Sequence, residues 1–378
     1  MRIAILIPSL EKGGIERSIS RISNGLLDLG WEVDLLIDKS SLEAESYFDQ
    51  RINFIKLKAG HFDQNKNLFF SLLKNILLFI KIKTYLKRSN TKIILAAKNI
   101  PLGILLKLTK GNRLKIIIRE AVNPTTTLQL QRNLISRTIL KLIKKLSYPY
   151  ANRIIAISNG VKDSLVKDIG IDPTKIHVVY NPSADPNIIK FSKEIVPQEF
   201  LKSDIPTLIS IGRLVPQKDY MTLLKAFNIS SKKLKSRLVI IGEGQERSSI
   251  EKYVKDENMD NEIILLGYQS NPWKYLTNSD LFILSSKWEG FGNVIVEAML
   301  LGIPVISSDC PSGPSEILEK GKLGDLFSVG DHNRLATLIE EKLNNIDQSR
   351  DKADLAKKAS SLYSIEIISK QYDDILSK

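Results

Sequence analysis

Short runs of β-branched and leucyl residues recur along this chain, each followed by a longer stretch whose apolar residues repeat at helical spacing. Ile3–Ile7, Val33–Ile37, Ile52–Leu57, Ile93–Ala97, Ile116–Ile118 and Ile154–Ile157 are the candidate strands of the first half. Ile19–Leu29, Leu68–Lys87 and Leu134–Leu146 are helical patterns between them. Strands that alternate with helices return to the same sheet edge in the same direction. The expected class is therefore α/β, with parallel sheet and right-handed crossovers.

The rhythm falters after Val178-Val179-Tyr180-Asn181-Pro182, where Pro182, Pro186 and Pro197 punctuate a stretch with little periodicity. That stretch reads as a linker. The alternation then restarts with Thr207–Ile211, Leu238–Ile241, Ile263–Leu266, Leu281–Leu284 and Pro304–Ile306. A length of 378 residues suits two such domains, each with its own core. The division expected is 1–184 for the first and 185–361 for the second. The segment 362–378 has a helical pattern and no strand after it, and is expected to cross back to the first domain.

Composition narrows the chemistry. One cysteine, Cys310, excludes a disulfide framework and a cysteine metal site, and suits a reducing compartment. Three scattered histidines, His61, His177 and His332, have no metal-ligand spacing, and no histidine-rich metal site is expected. The apolar run at Ile3–Ile7 is too short for a signal peptide core and reads as a buried first strand. The greasiest stretch, Leu68 to Leu86, is interrupted by Lys74, Lys81 and Lys83 and is not expected to span a membrane.

Charge is distributed unevenly. Residues 1–195 carry 32 Lys and Arg against 16 Asp and Glu, whereas 196–378 carry 23 against 26. From Gln64 to Lys162 there are 20 basic residues and one acid, Glu120. Such asymmetry implies an anionic surface or polymer as partner. Within it, Ile135, Ile139, Leu142 and Leu146 recur at helical spacing, with Arg137, Lys141, Lys144 and Lys145 around them. This helix either lies in a membrane interface with its apolar face down or packs that face on the core and solvates the basic one.

In open parallel sheets, ligands bind beyond the carboxyl ends of the strands, so the loops there hold the candidate site. Ser9-Leu10-Glu11-Lys12-Gly13-Gly14-Ile15-Glu16-Arg17 follows the first strand and opens a helix. Gly13 and Gly14 allow close backbone approach to an anion at a helix N-terminus, or serve only as a tight turn. Ser210-Ile211-Gly212-Arg213-Leu214-Val215-Pro216-Gln217-Lys218-Asp219 places Arg213 and Lys218 on one loop. A guanidinium forks onto phosphate oxygens and a lysine adds a point charge, which together suit a diphosphate; the alternative is a solvated pair. Trp288-Glu289-Gly290-Phe291-Gly292-Asn293-Val294-Ile295-Val296-Glu297 follows Leu281–Leu284. Asn293 is the expected N-cap, Val294 the first helical residue, and Glu297 a first-turn residue. Two carboxylates then flank a helix N-terminus able to receive phosphate, unless Glu297 merely compensates the dipole and Glu289 is solvated.

Glu289 and Glu297 in this context resemble the paired-glutamate signature of the family-4 retaining glycosyltransferases, which have the GT-B fold of two Rossmann-like domains facing a cleft. The resemblance covers nearly the whole chain. Gly13-Gly14-Ile15-Glu16-Arg17 is similar to the family's N-terminal glycine loop, and Ile157-Ser158-Asn159-Gly160-Val161 and Val179-Tyr180-Asn181-Pro182 to its interdomain landmarks. Gly242-Glu243-Gly244 is similar to its G-x-G turn, and Gly302-Ile303-Pro304-Val305-Ile306 to its next strand. The resemblance implies that Arg213 and Lys218 neutralise the departing nucleoside diphosphate, that Glu297 binds ribose hydroxyls, and that Glu289 binds hydroxyls of the transferred sugar. It also implies that amides around Phe291-Gly292-Asn293 contact sugar and phosphate, and that no metal or other cofactor is needed. One departure stands out: many relatives carry a histidine near the transferred sugar, and the matching stretch here, Ile118-Arg119-Glu120-Ala121-Val122-Asn123-Pro124, has none. Glu120 or Asn123 stands at the cleft instead, or Glu120 merely offsets Arg119.

The function expected is hexosyl transfer, with retained configuration, from a nucleotide sugar, expected to be a UDP-sugar, to a growing polysaccharide or lipid-linked saccharide. The expected location is the cytoplasm, peripheral on the inner face of the plasma membrane, with the basic domain on an anionic membrane surface. A nucleotide-sugar epimerase or phosphorylase of similar fold is the enzymatic alternative, and a non-catalytic membrane or anionic-polymer binder the other. No nucleic-acid motif or interleaved aromatic set accompanies the basic stretch, so nucleic acid is not an expected partner.

Overall fold

The computed structural model describes residues 1–11, 13–59, 68–98, 100–130, 133–200 and 205–378. Lys12 of the glycine loop, His61, and Lys66 and Arg132 of the basic stretch lie outside the described residues. The chain divides into two compact units, Met1–Pro182 with Ile365–Lys378, and Ser183–Ser364.

The first unit is built on seven strands in the spatial order Asn53–Lys56, Glu32–Ile37, Arg2–Leu6, Ile93–Ala96, Lys115–Glu120, Arg153–Ala156 and Ile176–Val178. Every neighbouring pair is parallel. Helices cover both faces of such a sheet, so its central strands are buried on both sides. That is why they read as continuous apolar runs, not alternating ones. The chain first lays strands outward from Arg2–Leu6 in one direction, then returns to its other side with Ile93–Ala96. The carboxyl ends of these two strands form the unit's topological switch point.

The last helix, Ile365–Ser377, belongs to this unit. Its Ile368, Tyr372, Ile375 and Leu376 join Ile19, Ile22, Leu26 and Trp31 in one buried cluster. Close approach to the first helix, Gly14–Asp28, requires Gly25: a Cβ there would lie 1.9 Å from Ser369 Oγ. Polar ties add direction, with Trp31 Nε1 donating to Asp373 at 2.8 Å and Arg153 donating to the Ile375 carbonyl at 2.9 Å.

The second unit has six parallel strands in the order Ile263–Gly267, Arg237–Ile241, Thr207–Ile211, Leu281–Leu284, Val305–Ser308 and Asp325–Phe327. Its switch point lies between Thr207–Ile211 and Leu281–Leu284, which pair directly. Both units are thus doubly wound α/β.

Three local expectations change. The proline-punctuated stretch is not a bare linker: Asp185 accepts from the Asn187 amide at 2.9 Å and caps a helix at Pro186–Phe191, where proline fits because a first-turn residue needs no amide donor. Ile176–Val178 and Asp325–Phe327 are edge strands outside the expected set. Each is short and only partly buried, so neither leaves an apolar run in the sequence. In the helix Leu134–Ser147, Lys144 points inward and pairs with Glu120, so it is not part of an exposed basic face.

Candidate functional site

In the second unit, the loops leaving the two switch-point strands meet. Thr207–Ile211 runs into Gly212 and Arg213, then a 3-10 turn at Pro216–Lys218. Asp219, with φ of 47°, redirects the chain into the helix Tyr220–Ser231. Lys218 Nζ lies 2.6 Å from Glu289 Oε1 in the loop after Leu281–Leu284. Ser286 Oγ donates to the same oxygen at 2.6 Å. Gln217 Nε2 donates to the Trp288 carbonyl at 2.9 Å, and Ser285 Oγ to the Lys218 carbonyl at 2.8 Å. Three of these contacts, Lys218–Glu289, Gln217–Trp288 and Ser285–Lys218, lock the two loops together. Glu289 is buried and Lys218 nearly so. A buried pair of this kind survives only because each charge neutralises the other and the carboxylate takes a further donor. Arg213, by contrast, is exposed, and no side chain among the described residues pairs with its guanidinium.

Backbone shape matters at two glycines here. Gly242 has φ of 151°, and a Cβ on it would fall 1.9 Å from the Gly212 carbonyl oxygen, so the G-x-G turn can press against the Arg213 loop only without a side chain. Gly292, with φ of 105°, occupies the cap position of the helix Asn293–Leu300. This moves the helix start by one residue from the expected place. Asn293 is the first helical residue, and its Oδ1 accepts from Ser183 Oγ at 3.0 Å. Glu297 accordingly lies one step deeper, past the first turn, because glycine reaches the left-handed conformation that asparagine enters less readily. It is buried, and Trp273 Nε1 donates to its Oε2 at 2.8 Å. Trp273 is held by stacking on Phe191, with ring centroids 6.0 Å apart. Phe291 is buried edge-on against Tyr363.

Cys310 is buried close by. Burial, with the nearby negative charge of Glu289 adding to it, pushes its thiol up to about 12. It is a protonated packing residue and not a nucleophile.

In the first unit, Gly13 precedes the first helix in extended conformation, and Gly14 is the first helical residue. A Cβ on Gly13 would meet Glu16 Oε2 at 2.7 Å. Glu16 is buried, and Lys98, just beyond Ile93–Ala96, donates to its Oε1 at 2.5 Å and to the Ser9 carbonyl at 3.1 Å. Each unit thus carries a lysine–glutamate pair at its switch point. Glu120 does not offset Arg119. It is buried, accepts from Lys144 Nζ at 2.7 Å, and also accepts from Tyr148. Burial, the Glu120 charge and that hydrogen bond hold the Tyr148 hydroxyl well above its ordinary pKa. Arg119 is occupied elsewhere, donating to Asn181 at 2.6 Å and to Tyr372 at 3.1 Å. Asn123 caps the helix Pro124–Gln129 by accepting from the Thr126 amide. Among the described residues, no cluster of three or more His, Cys, Asp or Glu is placed to hold a metal ion.

Two family models match the chain, "Glycosyltransferase Family 4" over residues 12–183 and "Glycosyl transferases group 1" over 191–360. The second match contains both strands of the second unit's switch point, and the first begins just after Arg2–Leu6. The chain is a family-4 glycosyltransferase of the GT-B fold. This glycosyltransferase is 28% identical, over 90% of each chain, to the N-acetylgalactosamine-N,N'-diacetylbacillosaminyl-diphospho-undecaprenol 4-alpha-N-acetylgalactosaminyltransferase of Campylobacter jejuni. It is 28% identical to the capsular polysaccharide biosynthesis glycosyltransferase CapM of Staphylococcus aureus, over 73% of this chain and 71% of that one. Among solved structures, it superposes on Anabaena HepE in complex with UDP-glucose with a TM-score of 0.81. That match covers 100% of this chain and 99% of the other, at 18% identity, a likeness of fold. The structure brings Lys218 and Glu289 into contact and places Arg213 on the same loop, with Glu297 in the following helix. Ser286, Gln217, Trp273 and Lys98 were not expected. The partners of Gln217, Trp273 and Lys98 are carboxylates and carbonyls distant in sequence, whereas Ser286 bonds Glu289 three residues on.

Proposed function

We propose that this glycosyltransferase moves a hexose from a UDP-sugar, with retained anomeric configuration and without a metal ion, to a lipid-linked saccharide or growing polysaccharide. The observation that carries this is the Lys218–Glu289 pair at the switch point, with the exposed Arg213 on the same loop. An arriving diphosphate draws Lys218 and Arg213 onto its oxygens, where fixed positive charge stabilises the leaving group. Glu289, released from Lys218 but still held by Ser286, then accepts a hydroxyl of the transferred sugar. Glu297, oriented by Trp273, accepts from the ribose hydroxyls, as the acid of a dinucleotide fold does. Gly242, Phe291, Gly292 and Asn293 shape the donor pocket, and Gly13 and Gly14 of the first domain are assigned to donor binding as well. A catalytic role for Glu120 requires its carboxylate to use the oxygen that Lys144 and Tyr148 do not share. The acceptor class is supported by the Campylobacter relative, whose name specifies an undecaprenol-linked substrate. The basic first domain meets the anionic inner leaflet of the plasma membrane, where each nearby basic residue contributes about 1 kcal/mol.

The test is turnover against a panel of nucleotide sugars. Arg213→Ala and Lys218→Ala are each expected to lower kcat by about 10²–10³-fold with the fold intact. Near-normal turnover in both variants removes the leaving-group assignment. An inverted product anomer, read by NMR, removes retention.

A further inference from the structure

The chain leaves the first unit after Pro182 and re-enters it at Ile365. Inside the first unit, one side chain holds both passages. Arg119, next to last in the strand Lys115–Glu120, donates from Nη2 to Asn181 Oδ1 at 2.6 Å and from Nε to the Tyr372 hydroxyl at 3.1 Å. Asn181 is the residue before the exit proline, and Tyr372 lies on the helix that follows the return. Arg21 adds a longer bond, 3.4 Å, to the Pro182 carbonyl. Arg119 is 1% exposed, its Nη1 is buried, and among the described residues that nitrogen has no hydrogen-bond partner and no carboxylate pairs with the guanidinium. Burying a cation among neutral partners costs stability, so packing alone gives no reason for arginine at this place. What arginine supplies is a planar fork that holds two acceptors in fixed mutual geometry, which a lysine or an apolar side chain lacks.

Within the second unit, the same two passages are tied to the head of the helix Asn293–Leu300. Ser183, next after Pro182, is fully buried, and its Oγ donates to Asn293 Oδ1 at 3.0 Å. The Ala184 amide donates to the Tyr363 carbonyl at 3.0 Å, and Ala184 and Ser364 form a parallel bridge. Tyr363 packs edge-on against Phe291, with ring centroids 5.5 Å apart. Asn181 and Ser183 are at most about 7 Å apart along the chain. The residue between them is proline, whose ring fixes φ, so little slack separates the Arg119 grip from the Asn293 bond. We propose that Arg119 is a positioning residue for donor binding. It fixes Asn181, and through Pro182 and Ser183 it fixes the Asn293 side chain at the head of the donor helix. Its other arm, on Tyr372, holds the returning helix to the same guanidinium. This rests on the proposed placement of Phe291 and Asn293 in the donor pocket and names a distant residue that sets their geometry.

The experiment is calorimetric titration of the full chain with UDP, with folding followed by circular dichroism. Arg119→Met and Ser183→Ala are each expected to weaken UDP binding by about 10-fold. The double variant should lose no more than either single one, because both cut the same path; a residue that merely stabilised the first unit would not show this coupling. Asn181→Ala removes the acceptor for Arg119 and should match Arg119→Met. Asn181→Asp restores an acceptor and should recover most of that loss. Where Arg119→Met does not fold, Asn181→Ala takes its place in the cycle with Ser183→Ala. Losses that add in the double variant overturn the proposal, as does wild-type UDP affinity in folded Arg119→Met or Asn181→Ala. Asn293→Ala tests the underlying reading. Wild-type UDP affinity in that variant removes the donor-pocket assignment and the proposal with it. A loss in Asn293→Ala with none in Arg119→Met leaves the donor pocket standing and removes the role of Arg119 alone.

Discussion

Glu289 accepts from Ser286 and from Lys218 on the same oxygen, and Glu297 accepts from Trp273, so the two carboxylates are held by different neighbours and should fail differently. Glu289→Gln frees Lys218, and calorimetry is expected to show UDP affinity equal to or higher than wild type while sugar transfer falls. Glu297→Gln keeps an acceptor oxygen for Trp273 but loses a charged acceptor for ribose. UDP affinity there should drop by roughly 10–100-fold. Equal losses of UDP affinity in both variants would contradict the division of labour. His177 offers a pH test in the first domain. Burial, then the positive charges of Arg153, Lys162 and Lys378, lower its pKa below the ordinary 6.5. Between the folded value and 6.5 the unfolded chain binds the extra proton, so stability is full above the unfolded pKa and is lost as pH falls through 6.5 toward the lower value. Urea unfolding between about pH 5.5 and 7.5 should show stability rising with pH, with a shallower slope in His177→Asn. Both glutamates were legible because they recur at a fixed spacing beside glycines. Trp273 was not, because its partner Glu297 lies 24 residues away and is brought to it by folding.

At the scale of elements, what periodicity conveys is a direction around a helix axis, not what lies in that direction. Leu134–Ser147 illustrates the difference: its apolar stripe was evident from spacing, but only the structure shows Lys144 turned inward onto Glu120 and the stripe turned out. The central strands were readable because burial on both faces leaves unbroken apolar runs. Ile176–Val178 and Asp325–Phe327 escaped because edge strands bury less. The helix at Asn293–Leu300 began a residue early because Gly292 adopts the left-handed cap that was assigned to Asn293 in a different role. Cap identity depends on backbone angles, and several residue types near a helix start satisfy the sequence pattern equally well.

Across the whole molecule, the charge asymmetry and the two doubly wound sheets follow from composition and rhythm. The contribution of Ile365–Ser377 to the first unit concerns the stability of everything before it. Its Ile368, Tyr372, Ile375 and Leu376 are buried. At about 1.5–3 kcal/mol per large apolar side chain, removing all four forfeits roughly 6–12 kcal/mol, comparable with the whole stability of a domain. A chain ending at Ser364 is therefore expected to lose its first unit to limited proteolysis while Ser183–Ser364 resists. Equal protease resistance in both units would show that the helix is dispensable.

That helix also sets a schedule for synthesis. At about 5–20 residues per second, the stretch between Pro182 and Ile365 takes on the order of 10–40 s to translate. Throughout that interval the nascent first unit has its sheet but not its closing helix, and the surface around Gly25 and Trp31 stands uncovered. The second unit, contiguous in the chain, has no such wait once its own last residue is free. The order of emergence from the ribosome and the order of completion are thus reversed, and the half made first is the half most in need of a chaperone.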